Sequence, residues 1–192
     1  MPDFFLIMKS QVTLNKFDGK LNLHRGAGKL KESAWYAVKM LFFLTAFPYP
    51  SALKARLLRL FGAKVGRGLC IKPRVNIHFP WKLEIGDHVW IGEEVFLLNF
   101  EKLTIGNNVC ISQRAFLCGG NHDYKSPAMP YRNGEITLQD GSWIGAGVFV
   151  APQVTVGTDT VVTACSVALK SLPENAVCAG NPAKFIKERN IK

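Results

Sequence analysis

Aliphatic residues return at every sixth position through most of this chain. Val65, Ile71 and Ile77 open three consecutive hexads, Leu83-Glu84 is then extra, and Ile85, Ile91 and Leu97 open three more. Leu103-Thr104 is extra again before Ile105, Ile111 and Leu117, and the series ends with Leu138, Ile144, Val150, Val156, Val162 and Ala168. The fifth member of a hexad is usually Val, Ala, Ser, Thr or Leu, as at Val89, Val95, Ala115, Ser142, Val148, Thr160 and Ser166. Six residues are too few for a helical unit. They suit a brief strand plus a corner, with Gly, Asn or Asp where the chain bends. Three hexads then close a triangular coil of about 18 residues, and neighbouring coils stack roughly 4.8 Å apart. Each coil buries its apolar edge on the next, which is the logic of a solenoid. An antiparallel sandwich of alternating strands is the alternative. It does not account for five coils in one register. The expected fold is mainly β, a parallel β-helix of about five coils.

Two helical segments precede the repeats. SAWYAVKMLFFLTAF (residues 33–47) is apolar on most sides and ends at Pro48. ALKARLLRLF follows Ser51, a candidate cap; Leu53, Leu57, Leu60 and Phe61 share one face, and Gly62 stops the helix. Both are expected to cover the open end of the first coil, because solenoids need caps. Residues 33–61 are also a candidate for peripheral contact with a membrane surface. Neither segment reaches the roughly 20 apolar residues of a spanning helix. The chain therefore divides into a helical, basic extension (1–64), the β-helix (65–182) with a loop at 119–137, and a basic tail (183–192).

Charge sharpens this division. The net charge is +10, but residues 1–64 carry 11 basic against 3 acidic side chains, and the rest 13 against 11. A basic N-terminal third suits an anionic surface or a phosphorylated ligand. No nucleic-acid motif accompanies it, so no nucleic-acid partner is expected. The 5 cysteines form no CxxC pair and are odd in number, as expected of reduced thiols in the cytosol. The stretch MPDFFLIMKS lacks the pattern of a signal peptide. The expected location is cytoplasmic, with possible attachment to the inner face of the membrane.

The hexads break once at length. After Ile105, Ile111 and Leu117 the next coil starts only at Leu138, so roughly 15 residues are inserted. LCGGNHDYKSPAMP opens the insert: two glycines read as a turn, followed by Asn121, His122, Asp123 and Tyr124, with Tyr131, Arg132 and Glu135 further on. An imidazole titrates near 6.5 and suits a general base at neutral pH. Asp123 or Glu135 is placed to orient that ring, though either also reads as a simple loop acid. His78 and His88 lie in the repeats ten positions apart.

The hexads resemble those of the hexapeptide-repeat acyltransferases over residues 65 to about 189. GGNHDY is similar to the Gly-Ser-His-Asp stretch of the colanic-acid-type sugar O-acetyltransferases. SWIGAGVFVAPQVTVG is similar to the cofactor wall of the family, and AGNPAKFIKER to its closing motif. The maltose and galactoside acetyltransferases share the later motifs. The resemblance implies a left-handed coil, a homotrimer and direct acetyl transfer from acetyl-CoA to a sugar hydroxyl, with His122 as base and Asp123 beside it. It implies that Trp143, Gly145, Ala146, Gly147, Ala164, Ser166, Lys170 and Lys184 hold the cofactor across a subunit boundary. Lys170, in ALKSLPEN, departs mildly from the usual Thr-Lys-Asp before Leu-Pro-Pro. Asn99, Tyr124 and Glu135 are the candidates for the acceptor, expected to be a free or lipid-linked sugar of surface polysaccharide assembly. The gamma-class carbonic anhydrases share the coil and hold zinc with three histidines, but His78, His88 and His122 do not match their spacing, so no metal is expected. An amino sugar or serine as acceptor, and a non-catalytic binding solenoid, are the rival readings.

Overall fold

The computed structural model describes residues 11–191. The stretch read against a signal peptide (1–10) and the last residue of the basic tail lie outside the described residues.

Every hexad start carries a short strand. The first coil comprises β1 (Lys64–Val65), β2 (Cys70–Ile71) and β3 (Asn76–Ile77), and the second β4 (Leu83–Ile85), β5 (Trp90–Ile91) and β6 (Phe96–Leu98). The third comprises β7 (Leu103–Ile105), β8 (Cys110–Ile111) and β9 (Phe116–Cys118), and the fourth β10 (Ile136–Leu138), β11 (Trp143–Ile144) and β12 (Phe149–Val150). The fifth comprises β13 (Thr155–Val156), β14 (Val161–Val162) and β15 (Val167–Ala168), after which β16 (Ala176–Gly180) and β17 (Ala183–Glu188) close the chain. Strands with the same place in successive coils pair in parallel, giving three sheets: β1-β4-β7-β10-β13, β2-β5-β8-β11-β14-β16 with β17 at its end, and β3-β6-β9-β12-β15. The fold is a parallel β-helix of five full coils and part of a sixth.

Register explains the core. Ile71, Ile91, Ile111, Ile144, Val162 and Cys178 pair in one continuous column, and Ile77, Leu97, Leu117, Val150 and Ala168 in another. All of these are buried. Each aliphatic side chain so removed from water contributes about 1.5–3 kcal/mol. The fifth-position residues also turn inward; the hydroxyls of Thr160 and Ser166 bind backbone, whereas Ser142 Oγ is buried without a partner. Thr160 Oγ1 donates to the Pro173 carbonyl and accepts the Ala176 N–H, and Ser166 Oγ accepts the Gly180 N–H at 3.1 Å. The fourth position of most hexads lies in the left-handed region. It is filled by Arg74, His88, Glu94, Arg114, Gln153 and Cys165 as well as by Gly, Asn and Asp. The corners are thus less selective for Gly, Asn and Asp than the sequence suggests, because coil-to-coil pairing over-determines the backbone there.

The two helices plug the open end of the first coil. The first, α1 (Lys29–Val38), starts four residues earlier than the sequence suggests and continues as a π-helical turn, Lys39–Phe43. Trp35 donates its indole N–H to the Ile77 carbonyl at 3.1 Å, with Phe43 and Phe61 against its ring. The second helix, α2 (Ser51–Leu60), differs from expectation in two ways. Ser51 makes no helix cap; its Oγ accepts the Ile71 N–H at 3.0 Å and so ties α2 to β2. The buried face is Lys54, Ala55 and Leu58, while Leu60 is 75% exposed. The apolar stripe through Leu60 loses because Lys54 turns its stem inward and donates Nζ to the Lys72 carbonyl at 2.9 Å. At the other end the closing segment is no free tail. β17 pairs antiparallel with β16, and Arg189 donates to the carbonyls of Gly141 and Asp159, both at 3.0 Å.

Candidate active site

The insert after β9 folds back on itself as a narrow ribbon. His122 and Tyr131 form an antiparallel bridge, Asp123 N–H donates to the Pro130 carbonyl at 2.8 Å, and Gly134 N–H to the Gly119 carbonyl at 3.0 Å. Gly119 and Gly120 make no left-handed turn. They are needed because the ribbon lies against the second coil: a Cβ would stand 2.9 Å from the Leu98 carbonyl oxygen at Gly119, and 2.9 Å from the Phe100 ring at Gly120.

This ribbon fixes the imidazole. Nδ1 of His122 lies 2.6 Å from the Met129 carbonyl oxygen, which can only accept. Nδ1 therefore donates to it, an arrangement that in the neutral ring leaves the lone pair on Nε2. The ring forms a three-ring cluster with Phe17 (centroids 5.5 Å apart) and Tyr131 (4.9 Å), which touch each other at 5.3 Å. The N-terminal segment supplies Phe17 and is itself tied to the ribbon: Thr13 N–H donates to the Pro127 carbonyl at 2.8 Å, and Asn22 Nδ2 to the Tyr131 carbonyl at 3.2 Å.

The candidate acids do not touch the ring. Asp123 Oδ1 accepts the Lys125 N–H at 3.1 Å, and Glu135 is exposed on another depression, with Glu101 and Lys102. A backbone carbonyl orients the imidazole in their place. Tyr124 is 74% exposed at the outer turn of the ribbon. Asn99 is unavailable to a ligand: it is buried, its Oδ1 accepting the Phe79 N–H at 3.0 Å and its Nδ2 donating to the Phe79 carbonyl at 2.6 Å. It clamps one corner to the next, because its whole amide is spent there.

A second feature lies one whole face of the prism away, at the corner between the β2-type and β3-type sheets. A groove of about 400 Å³ runs along the coils there. Third-position residues Gln113, Ala146 and Ala164 and fourth-position residues Arg114, Gly147 and Cys165 line it, with Glu94 bound to Arg114 at 2.7 Å. Gly145 stands just behind. Its missing Cβ would be 2.6 Å from Ala164 N, so this glycine serves coil stacking. Trp143 lies beside the groove, 45% exposed, its Nε1 donating to Ser112 Oγ at 2.9 Å. Ser166 is buried and points into the core. Lys170 and Lys184 are exposed, and neither lines the groove. The small pair Ala146-Gly147 and Ala164 were legible in the sequence. Gln113, Arg114 and Cys165 were missed, although aligning the hexads places them in the same two columns. Phe17 left no sequence signal. Burial pushes the thiols of Cys110 and Cys118 up, which leaves both poor nucleophiles.

A parallel β-helix interrupted by a histidine-bearing ribbon, with a groove of small residues one face away, defines a hexapeptide-repeat acyltransferase. No family model matches the chain. It is 44% identical over 165 residues, 86% of this chain and 91% of the relative, to an Escherichia coli (strain K12) protein provisionally named colanic acid biosynthesis acetyltransferase WcaF. It is 30% identical over 159 residues, 79% and 77% of the two chains, to the galactoside O-acetyltransferase of the same organism. Among solved structures, the hexapeptide-repeat acetyltransferase of Vibrio cholerae complexed with acetyl coenzyme A superposes with a TM-score of 0.76 at 25% identity, over 85% of this chain and 89% of that one. The chain belongs to the hexapeptide-repeat acetyltransferases and is an enzyme of their sugar O-acetyltransferase type.

Proposed function

We propose that the protein transfers an acetyl group from acetyl-CoA to a hydroxyl of a saccharide, with His122 as general base. The free Nε2 of a ring whose Nδ1–H is already committed to Met129 carries this reading. In one step Nε2 takes the hydroxyl proton, the oxygen bonds to the acetyl carbon, the carbon–sulfur bond breaks, and the proton passes on to the CoA thiolate. The Met129 carbonyl favours the imidazolium that forms meanwhile.

The donor lies in the groove of Ala146, Gly147 and Ala164, where small side chains admit a thin pantetheine arm. Because that groove and His122 occupy different corners of one chain, the site is completed between copies, the ribbon of one facing the groove of its neighbour in a trimer. The outer face of the β3-type sheet is suited to such packing, with Phe96, Phe116 and Phe149 in a continuous ring contact. The acceptor on this reading is a saccharide of surface polysaccharide assembly, which the naming of WcaF for colanic acid biosynthesis supports. Exposed Leu30, Tyr36, Leu41 and Phe47 among the N-terminal lysines favour work at an anionic membrane surface.

Mixing two inactive variants tests the site. His122→Ala and Ala164→Trp proteins, denatured and reassembled together at equal ratio, recover about a quarter of the wild-type rate if each site draws on two chains in a cyclic assembly. No recovery places the whole site in one chain. Mass spectrometry of candidate sugars incubated with acetyl-CoA then identifies the acceptor.

A further inference from the structure

A second cavity, of about 240 Å³, lies between α1 and the corner that follows β3, and the transfer chemistry leaves it unused. Arg25, Lys39, Tyr36, His78 and Trp81 are in its wall. Lys39 is only 8% exposed, and its Nζ has no hydrogen-bond or ion-pair partner among the described residues; it stands 5.3 Å from the centroid of the Tyr36 ring. Burial lowers its pKa. Lys54, in the same helical cap, shows how this protein satisfies a lysine that serves packing, with a carbonyl at 2.9 Å. Lys39 has no equivalent partner; its stem is buried, and it lines the cavity.

Lys39 is also where α1 departs from α-helical geometry. The π-helical turn Lys39–Phe43 begins there and buries both of its end residues. Such turns concentrate at functional sites. The rest of the lining mixes polar groups with the rings of Trp35, Phe79 and Trp81, and leans cationic. Glu32 takes up the charge of Arg25 in a two-pronged pair at 2.6–2.9 Å. His78 is neutral at ordinary pH, burial and the charges of Lys39 and Arg25 having pushed its pKa down to about 4. One uncompensated positive charge remains, on Lys39.

The cavity lies on the same corner of the prism as the histidine ribbon. His78 touches Phe100 with ring centroids 4.8 Å apart, Phe100 touches Tyr131 at 5.7 Å, and Tyr131 touches His122 at 4.9 Å. Three ring contacts thus lead from the catalytic imidazole to His78, which shares the wall of the cavity with Lys39.

We infer that this cavity is an oxyanion subsite for the acceptor, in which Lys39 holds the phosphate ester or carboxylate of a negatively charged saccharide while its reactive hydroxyl lies at His122. This rests on the reading of His122 as the base. The bound oxyanion supplies the acceptor that Lys39 lacks, in a charge-assisted bond.

The test reads binding without turnover. The full chain, saturated with CoA, is titrated calorimetrically with galactose, galactose 1-phosphate and glucuronate. At least one anion binds about tenfold or more tightly than galactose, a difference of about 1.4 kcal/mol. Lys39→Met removes the preference and Lys39→Arg keeps it, with CoA affinity reporting an intact fold. A preference for galactose 1-phosphate assigns the subsite to a glycosyl phosphate, and one for glucuronate to a uronic acid. Equal or undetectable binding of all three probes, or a preference that survives Lys39→Met, overturns the inference. A His122→Ala protein that retains the preference separates this subsite from the identity of the base.

Discussion

Two corners of one prism are built by opposite means. At the groove, successive coils turn with the same six-residue step, and the third and fourth positions form straight columns from Glu93-Glu94 to Ala164-Cys165. At the ribbon corner no two of the first three coils turn alike: a 3-10 turn at Pro80–Lys82, the Asn99 clamp, then the folded insert. Repetition yields a long uniform backbone, which a thin extended ligand needs. It cannot place one distinct side chain, since every corner repeats its neighbour. A base therefore requires an interruption, and the interruption requires supports from outside the repeat, here Phe17 and the segment from Thr13 to Arg25.

That contrast breaks hardest at His122. His122→Ala is expected to lower kcat by about 10²–10⁴ with an unchanged melting temperature; steady-state turnover near the wild-type rate would remove the base from the scheme. Next in size is an acid effect on the ribbon corner. The ordinary histidine pKa is near 6.5 in the unfolded chain, whereas folded His78 sits at about 4. As pH falls, the unfolded chain takes up this proton first. Stability is therefore complete above about pH 6.5 and declines toward pH 4, by about 2 kcal/mol once partial solvent contact is discounted. Urea melts across that range check it, and His78→Phe should remove that component of the decline.

The groove should respond more gently, and to donor alone. Ala164→Leu narrows it and is expected to raise the KM for acetyl-CoA about tenfold, with the acceptor KM unmoved. A change in acceptor KM instead would put the donor elsewhere. Smallest is Phe17→Ala. Loosening one side of the imidazole should lower kcat about fivefold without altering the acetyl-CoA KM, and Phe17→Leu should restore most of it. Equal loss in both variants would make Phe17 a folding residue only.

Much of this was legible from periodicity. A six-residue step brings the same positions inward on every coil, so Ile71, Ile91 and Ile111 had to stack, and Ala146, Gly147 and Ala164 had to share a corner. Local reading failed where partners came from afar. Ser51 resembled a cap but serves β2, Leu60 resembled core but yields to Lys54, and Asp123 stands next to His122 in sequence but turns away from its ring.

The sequence by itself determined the coils, their register, their apolar interior and the single long insert, because each follows from residues a few positions apart repeating under one steric rule. Only the tertiary structure decided that Met129 orients the imidazole, that Phe17 braces it, and that Lys39 faces a cavity without a partner. Those outcomes depend on which distant surfaces meet, and the energy of such meetings lies in packing and desolvation that no local spacing records.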